Sequence, residues 1–279
     1  MPGLRIVTDS ACDLPPAMAD RHGIEVVPLT VRFGEEELVD RQDLSPRQFW
    51  DRLARSEVLP ETAAPSPGAF ENAYRKAVHD GGEGVVCITL SSALSATYEA
   101  AQLAAQTVSG SVPVRVVDSR AVTMAQGLMA VRAAELAASG AGIDDVVGAL
   151  EDLVPRSRTF AALDTLENLK KGGRIGGAQA FLGSMLSIKP VIEVTGGKVE
   201  PESRQRTRGR ALRYLADKVG QHPPAGTLAV MHGDAPDLEE MLDLLAPLHP
   251  REQTLVGDIG AVIGTHTGPR VMGVAFFVQ

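Results

Sequence analysis

Between Gly260 and Arg270 the chain reads Gly-Ala-Val-Ile-Gly-Thr-His-Thr-Gly-Pro-Arg, which sets one histidine between two threonines in a glycine-rich turn. Backbone that free of side chains suits close approach to a ligand. His266 offers a ring donor between the hydroxyls of Thr265 and Thr267 but has no catalytic partner near it in sequence. It reads either as a polar anchor for a ligand or as a turn histidine bonded to its own loop. A second hydroxyl cluster, Ser91-Ser92-Ala93-Leu94-Ser95, follows the apolar run Val85 to Leu90 and leads into a helical pattern holding Leu103, Ala104 and Val108. A strand, a hydroxyl turn and a helix start make an anion site, because unpaired backbone N–H groups and the helix dipole point at whatever the serines hold. One serine suffices for a helix cap. The turn holds three, and Ser95 is taken as the ligand contact.

The cations are grouped as well. Lys170-Lys-Gly-Gly-Arg-Ile-Gly-Gly177 has the glycines of a phosphate loop, but it lacks the Gly-x-x-x-x-Gly-Lys-Ser/Thr order and follows a helical pattern instead of a strand. A nucleotide-binding loop is therefore rejected, and Arg174 either reaches an anion or belongs to a helix stop. Arg204, Arg206, Arg208, Arg210 and Arg213 cluster near the start of another helical pattern. Such a run either pairs with nearby carboxylates on a solvated face or docks a partner or phosphate. Thr62 precedes a capping unit in which Ser66 is the N-cap and Pro67 the first helical residue. Taken alone it is a loop threonine.

What is missing narrows the chemistry. No His-x-x-x-His or Cys-x-x-Cys spacing signals a metal, and no Gly-x-Ser-x-Gly elbow signals a hydrolase. Cys12 and Cys87 have neither the number nor the spacing for a disulfide framework, and Cys87 lies in the apolar run, where a core role is expected. A formal charge of -8 argues against nucleic acid or an anionic membrane surface as partner. Ala121 to Val131 lacks charge, but Arg132 ends it at about half the length that crosses a bilayer. With no leader pattern at the N-terminus, a cytoplasmic protein without integral membrane association is expected. Hydrophobic residues make up 44% of the chain and aromatics only 4%, so a cavity would be walled by Leu, Ile, Val, Ala and Met. Such walls suit a flexible aliphatic ligand better than a stacked ring.

The elements that must position these residues follow from periodicity. Leu4 to Val7, Glu25 to Val31, Val85 to Leu90 and Val114 to Val117 read as buried strands, and Phe70, Ala73, Tyr74, Ala77 and Val78 share one helical face, as do Ile143, Val146, Val147 and Leu150. The alternation predicts helices covering a largely parallel sheet. Asp9-Ser10 and Asp118-Ser119 end two of the strands, where they serve as helix caps or face a ligand. Pro155 marks a boundary, giving α/β domains at 1–155 and 156–279. Beyond it come a strand at Phe160 to Leu163, capping-box spacing at Asp164-Thr-Leu-Glu167, a helix stop at Gly172, and an apolar face of Ala178, Phe181, Leu182, Met185 and Leu186. Helical faces at Leu212, Leu215, Ala216, Val219 and at Leu238, Met241, Leu242, Leu245 then interleave with strands at Val191 to Val194, Leu228 to Met231 and Met272 to Phe277. The second half is thus also α/β, with a more helical opening.

Taken together, Thr8-Asp9-Ser10, Thr62 with Pro65 and Ser66, Ser91-Ser92-Ala93-Leu94-Ser95, Gly172-Gly173-Arg174-Ile175, Arg206-Thr207-Arg208 and Thr265-His266-Thr267-Gly268 resemble the DegV family of fatty-acid-binding proteins, which includes the acyl-carrying subunit of bacterial fatty acid kinase. The resemblance runs nearly end to end. It implies two α/β domains, with a long acyl chain such as palmitate in a tunnel and its carboxyl group near the interface. By position, Thr62 and Ser95 match the family's carboxylate-binding hydroxyls and His266 its head-group histidine, while Arg174 and Arg206 match basic positions for head-group support or kinase docking. Two departures stand out: Thr62-Ala63-Ala64-Pro65 where the family reads Thr-Ser-Gln-Pro, and Ala96 where it has glycine. The resemblance implies a non-catalytic carrier, with no cofactor, that presents its acid to a separate kinase catalytic subunit. Burying about fifteen methylenes at roughly 0.8 kcal/mol each gives on the order of 12 kcal/mol before ordering costs, so affinity comes from the tail. The alternatives are a stand-alone phosphotransferase or esterase using Ser95 with His266, and a regulatory protein that senses lipid.

Overall fold

The computed structural model describes residues 3–184 and 188–279. The first half runs β1 (Gly3–Asp9), α1 (Pro16–His22), β2 (Ile24–Val27), β3 (Thr30–Phe33), β4 (Glu36–Val39), α2 (Pro46–Leu53), β5 (Glu61–Ala63), α3 (Pro67–His79), β6 (Gly82–Thr89), α4 (Thr97–Val108), β7 (Val114–Asp118), α5 (Thr123–Ala138) and α6 (Ile143–Leu153). The second runs β8 (Ser157–Ala162), α7 (Glu167–Lys171), a 3-10 segment Gly176–Ser184, β9 (Lys189–Thr195), β10 (Lys198–Gln205), α8 (Arg208–Gln221), β11 (Leu228–His232), α9 (Leu238–Leu245), β12 (Thr254–Asp258), α10 (Ala261–Thr267) and β13 (Met272–Phe277). No helix among the described residues is long and apolar enough to cross a membrane.

The expected parallel sheet is present, in the order β2-β1-β6-β7 with every pair parallel. Alternation along β6 divides its faces: Val85 and Cys87 pack with Phe70, Tyr74 and Ala104 of α3 and α4, while Val86 and Ile88 join the large core cluster. The second half forms a six-stranded sheet, β10-β9-β8-β13-β11-β12, antiparallel except for β11 with β12. Its outer face packs against the apolar stripes of α8 and α9, where Leu212, Leu215, Met241 and Leu245 are buried as periodicity predicts. Helix α5 lies between the two sheets, touching β1 and β6 on one side and β8, β11 and β13 on the other. That position explains why its first two turns carry no charge: Met124 to Ala130 are all buried, and the one large polar side chain among them, Gln126, is bonded to the Thr8 hydroxyl.

Several expectations are corrected. Glu25 to Val31 is not one strand: Pro28, with no N–H to donate, separates β2 from β3, and β3 pairs instead in a small antiparallel sheet β4-β3-β5. The capping box at Asp164 does not form. Helix α7 begins at Glu167, whose N–H bonds Thr165, and Asp164 instead pairs with Lys189 at 2.9 Å. Tertiary ion pairing outcompetes the local cap there. Neither Asp-Ser pair caps an α-helix. Asp9 caps the short 3-10 turn Ser10–Cys12, and α5 begins after Val122 without a side-chain cap. The capping reading of Ser66, bonded to the N–H of Ala69, holds. Of the apolar face near Phe181, Ala178 and Phe181 are buried, whereas Met185, Leu186 and the side chain of Leu182 lie outside the described residues.

Candidate functional site

The candidate site gathers at the carboxyl ends of the parallel strands, where loops from both halves meet. β5 is a three-residue edge strand whose central residue, Thr62, pairs with Val31. Its Oγ1 lies 2.9 Å from Nε2 of His266, in the last turn of α10, although 204 residues separate them. The expected glycine-rich turn is instead helix α10, and the reading of His266 as bonded only within its own loop is set aside. Burial, with the charge of Arg174 adding to it, pushes the imidazole down to about 4. The ring is therefore neutral at ordinary pH and can both donate and accept.

Arg174 is the cation beside this pair. Its Nε donates to Leu94 O at 3.1 Å and one terminal nitrogen donates to Gly172 O at 2.6 Å, which ties the Gly-Gly-Arg-Ile turn to the serine loop. Its other terminal nitrogen has no hydrogen-bond partner among the described residues. A fixed guanidinium with a spare donor suits a carboxylate.

The serine loop is built by the two Asp-Ser pairs. Asp9 accepts from the backbone N–H of Leu90 at 2.8 Å, and Asp118 accepts from the N–H and hydroxyl of Ser92 at 3.1 and 2.6 Å. Ser91 donates to Gly197 O at 2.7 Å, across to the β9–β10 turn. Ser91 and Ser92 are thereby spent on architecture. Ser95 is half-buried, and its Oγ lies 2.8 Å from the Thr97 hydroxyl and accepts from the Thr97 N–H. Among the described residues its hydroxyl is bonded to Thr97 and not to Thr62 or His266, so hydrogen bonds join two of the three proposed anchors and leave the third outside that pair, on the loop that Arg174 ties down at Leu94.

Arg206 is not part of this cluster. It stands exposed at the end of β10, without a partner among the described residues. The arginine group divides: Arg208 forms a two-pronged pair with Asp237 at 2.7 and 3.0 Å, Arg204 bonds Ala180 O and covers the Phe181 ring, and Arg206, Arg210 and Arg213 point outward.

Behind His266 and Arg174 runs a narrow cavity walled by Leu90, Leu94, Val122, Phe160, Ala161, Ile192, Val194, Met231, Ile259, Ile263 and Val271. The wall is mainly aliphatic, with Thr123, Thr159 and Thr267 among its residues and the Phe160 ring turned to the outer cluster under α8 and α9, and it draws on β8, β9, β11 and β13 from one half and the loops after β6 and β7 from the other. A wider groove at the amino ends of β1 and β6, lined by Arg5, His22 and Glu83, lies away from these side chains.

Gly172 is a residue that the sequence reading did not place in the site. Its sequence context predicts a helix stop, and it does end α7, but its φ of -75° suits any residue. What demands glycine is His266: a β-carbon on Gly172 would overlap Nδ1 and stand 3.0 Å from Cε1. Asn168 of the same helix donates to Thr265 O at 3.1 Å and fixes α7 against α10. No spacing signals this contact, because the two segments are remote in sequence.

Known proteins resemble the chain over nearly its whole length. A family model described as "Uncharacterised protein, DegV family" matches residues 3–279. The chain is 40% identical over 281 residues to a DegV domain-containing protein of Streptomyces coelicolor, covering 96% of each. Among solved structures it is similar to a DegV family protein of Thermus thermophilus described by its fatty acid binding, with a TM-score of 0.91, 34% identity and coverage of 99% of this chain and 100% of that one. It is also similar to DegV of Bacillus subtilis, described as a fatty acid binding protein, with a TM-score of 0.87, 29% identity and full coverage of both.

Proposed function

The chain belongs to the DegV family, and from that membership and its cavity we propose that it binds a long-chain fatty acid, tail in the tunnel and carboxylate at Thr62, His266 and Arg174. The observation that carries this reading is the meeting of an aliphatic cavity with a neutral imidazole, a hydroxyl and a cation with a spare donor. Hydroxyl and ring donors hold an anion without enclosing it, which leaves the carboxyl oxygens open to a second protein. Ser95 adds a fourth contact by exchanging its bond to Thr97 for one to the ligand. The two domains, divided at Pro155, clasp the chain between them.

The carrier presents its acid to a separate ATP-using kinase in the cytoplasm, and exposed Arg206 docks that partner. Two observations favour a carrier over a stand-alone esterase or phosphotransferase. The Ser95 hydroxyl is bonded to Thr97 instead of His266, so nothing activates it as a nucleophile, and the Lys170 to Gly177 turn follows helix α7 instead of a strand.

Native mass spectrometry of freshly purified protein, followed by lipid extraction, tests the binding step, with a non-covalent acid of roughly C14 to C18 expected because an apolar tunnel gains contacts from a chain that fills it. A mass equal to the bare chain, with no thermal stabilisation by palmitate or oleate, sinks the reading. The kinase step is tested by adding a fatty acid kinase catalytic subunit and ATP and following acyl phosphate; phosphorylation by this chain alone would replace the carrier with an enzyme.

A further inference from the structure

His266 owes its place to a fastening at the other end of α10. Asp13, in the loop after β1, is buried to 2% exposure. Its Oδ1 accepts from the backbone N–H of Gly260, which precedes α10, at 2.9 Å, and from Arg41 Nη2 at 3.1 Å. Arg41 is itself anchored through Nη1 to Leu14 O at 2.9 Å. Trp50 adds a third fastening, its indole N–H donating to Ile259 O at 3.1 Å. The fit is close: a β-carbon on Gly260 would stand 2.8 Å from Asp13 Oδ1, and one on Gly264 would stand 2.5 Å from Phe49 and 2.7 Å from Trp50. All these contacts join the first fifty residues to a helix of the second half that ends at His266 and Thr267.

The arrangement carries costs that holding a helix does not require. Asp13 and Arg41 both adopt the left-handed backbone region, at φ 53° and 65°, which is unfavourable for arginine in particular. Burial of the Asp13 carboxyl, partly offset by Arg41, pushes it up to about 6, so keeping it ionised at neutral pH is itself costly. Backbone strain together with a buried charge is typical of a place where geometry matters more than stability. The lever is short. At 1.5 Å per residue, Gly260 and His266 are roughly 9 Å apart along the helix, so a tilt of about 10° at the fastened end moves the imidazole by roughly 1.5 Å. That is enough to break the 2.9 Å bond to Thr62.

We propose that Asp13 and Arg41 are positioning residues for the fatty-acid head group, setting through α10 where His266 meets Thr62 and the carboxylate. This rests on the fatty-acid reading above. The test compares palmitate with hexadecanol, which has the same tail and no carboxylate, in wild type, Asp13→Asn, His266→Ala and the double variant. Asp13→Asn is expected to weaken palmitate about tenfold and hexadecanol less than about twofold, and to add nothing to the loss already caused by His266→Ala. Equal losses for the two ligands, or an undiminished loss in the His266→Ala background, would assign the pair to stability alone and overturn the proposal. Wild type that binds neither ligand removes the fatty-acid reading itself and this proposal with it. Wild type that binds both without a selective effect of Asp13→Asn removes only the positioning role. If Asp13→Asn does not fold, Arg41→Gln, which leaves the bond to Gly260, is scored the same way; failure of both to fold also overturns it.

Discussion

Gly172 and His266 are fitted to each other: the imidazole of one occupies the space that a side chain on the other would need. An alanine at an α-compatible φ ordinarily stabilises a helix end slightly, so Gly172→Ala separates backbone from site effects. It should leave thermal stability within a few degrees of wild type and weaken palmitate by about tenfold, read by isothermal titration, as the ring is pushed off Thr62. Wild-type affinity would show that the ring's position is immaterial.

Thr62→Val and Ser95→Ala each remove one polar contact, and His266→Ala removes a polar contact together with a ring that lines the cavity. Each is expected to cost on the order of 1 to 3 kcal/mol of palmitate affinity while the fold persists, because a carboxylate oxygen is left unpaired. Circular dichroism and titration calorimetry separate the two effects. If Ser95→Ala binds as wild type does while the other two lose affinity, its bond to Thr97 is its whole role.

Titration of His266 is visible in stability as well as in its ring resonances. The unfolded chain takes up the proton near the ordinary value of 6.5, whereas the folded chain resists it until about 4, so protonation of the unfolded state drains stability as pH falls through that window. At about 1.4 kcal/mol per unit the loss is on the order of 3 kcal/mol. Asp9 and Asp13, raised by burial to about 7 and about 6, act in the opposite sense: the folded form takes up their protons first, so folding gains as pH falls from 7 towards 4. Comparing urea unfolding of wild type and His266→Gln isolates the histidine. The variant should lose less stability between pH 6.5 and 4.5, and parallel profiles would mean that the imidazole titrates normally.

Ala161 lines the tunnel from β8, on the face opposite Phe160. Ala161→Phe should put a ring into the path of the tail and lower affinity for stearate far more than for octanoate, measured by displacement of a fluorescent acid. A uniform loss across chain lengths would place the tail elsewhere.

Arg206 is exposed and apart from the tunnel mouth, so Arg206→Glu should leave lipid affinity unchanged and slow acyl-phosphate formation with an added kinase, the reversal replacing attraction by repulsion. Unchanged turnover would remove the docking role and nothing else.

Much of this was legible in the sequence where one rule acted alone. The stripes of α3, α8 and α9 and the apolar run of β6 fall where periodicity puts them, because burial on one face is a local demand. Reading failed where distant partners decide. Glu36 to Val39 carries acids that mask a strand until β3 is there to pair with it, and Lys198 to Gln205 is charged at every second position and holds Pro201, yet forms an edge strand because the Gly196-Gly197 turn folds it back on β9. Asp164 has the spacing of a cap but meets Lys189 instead. The hydroxyls and the histidine of the site could be singled out one by one; that Thr62 and His266 touch, and that Gly172 makes room for the ring, depends on a fold that brings residues from opposite halves of the chain together.

The six-stranded sheet places β13, the last strand in sequence, between β8 and β11. During synthesis, β8, β9 and β10 can pair as one ribbon and β11 with β12 as another, but each keeps a bare edge of unpaired amides until β13 emerges and joins them. Helix α10, with its histidine, leaves the ribosome just ahead of that strand. Until β13 pairs, the chain lacks one wall of the proposed tunnel, and it carries two open β-edges that neighbouring chains can join. The proposed acyl site is complete only once β13 is in place, and the interval before it inserts is when the protein is most exposed to aggregation.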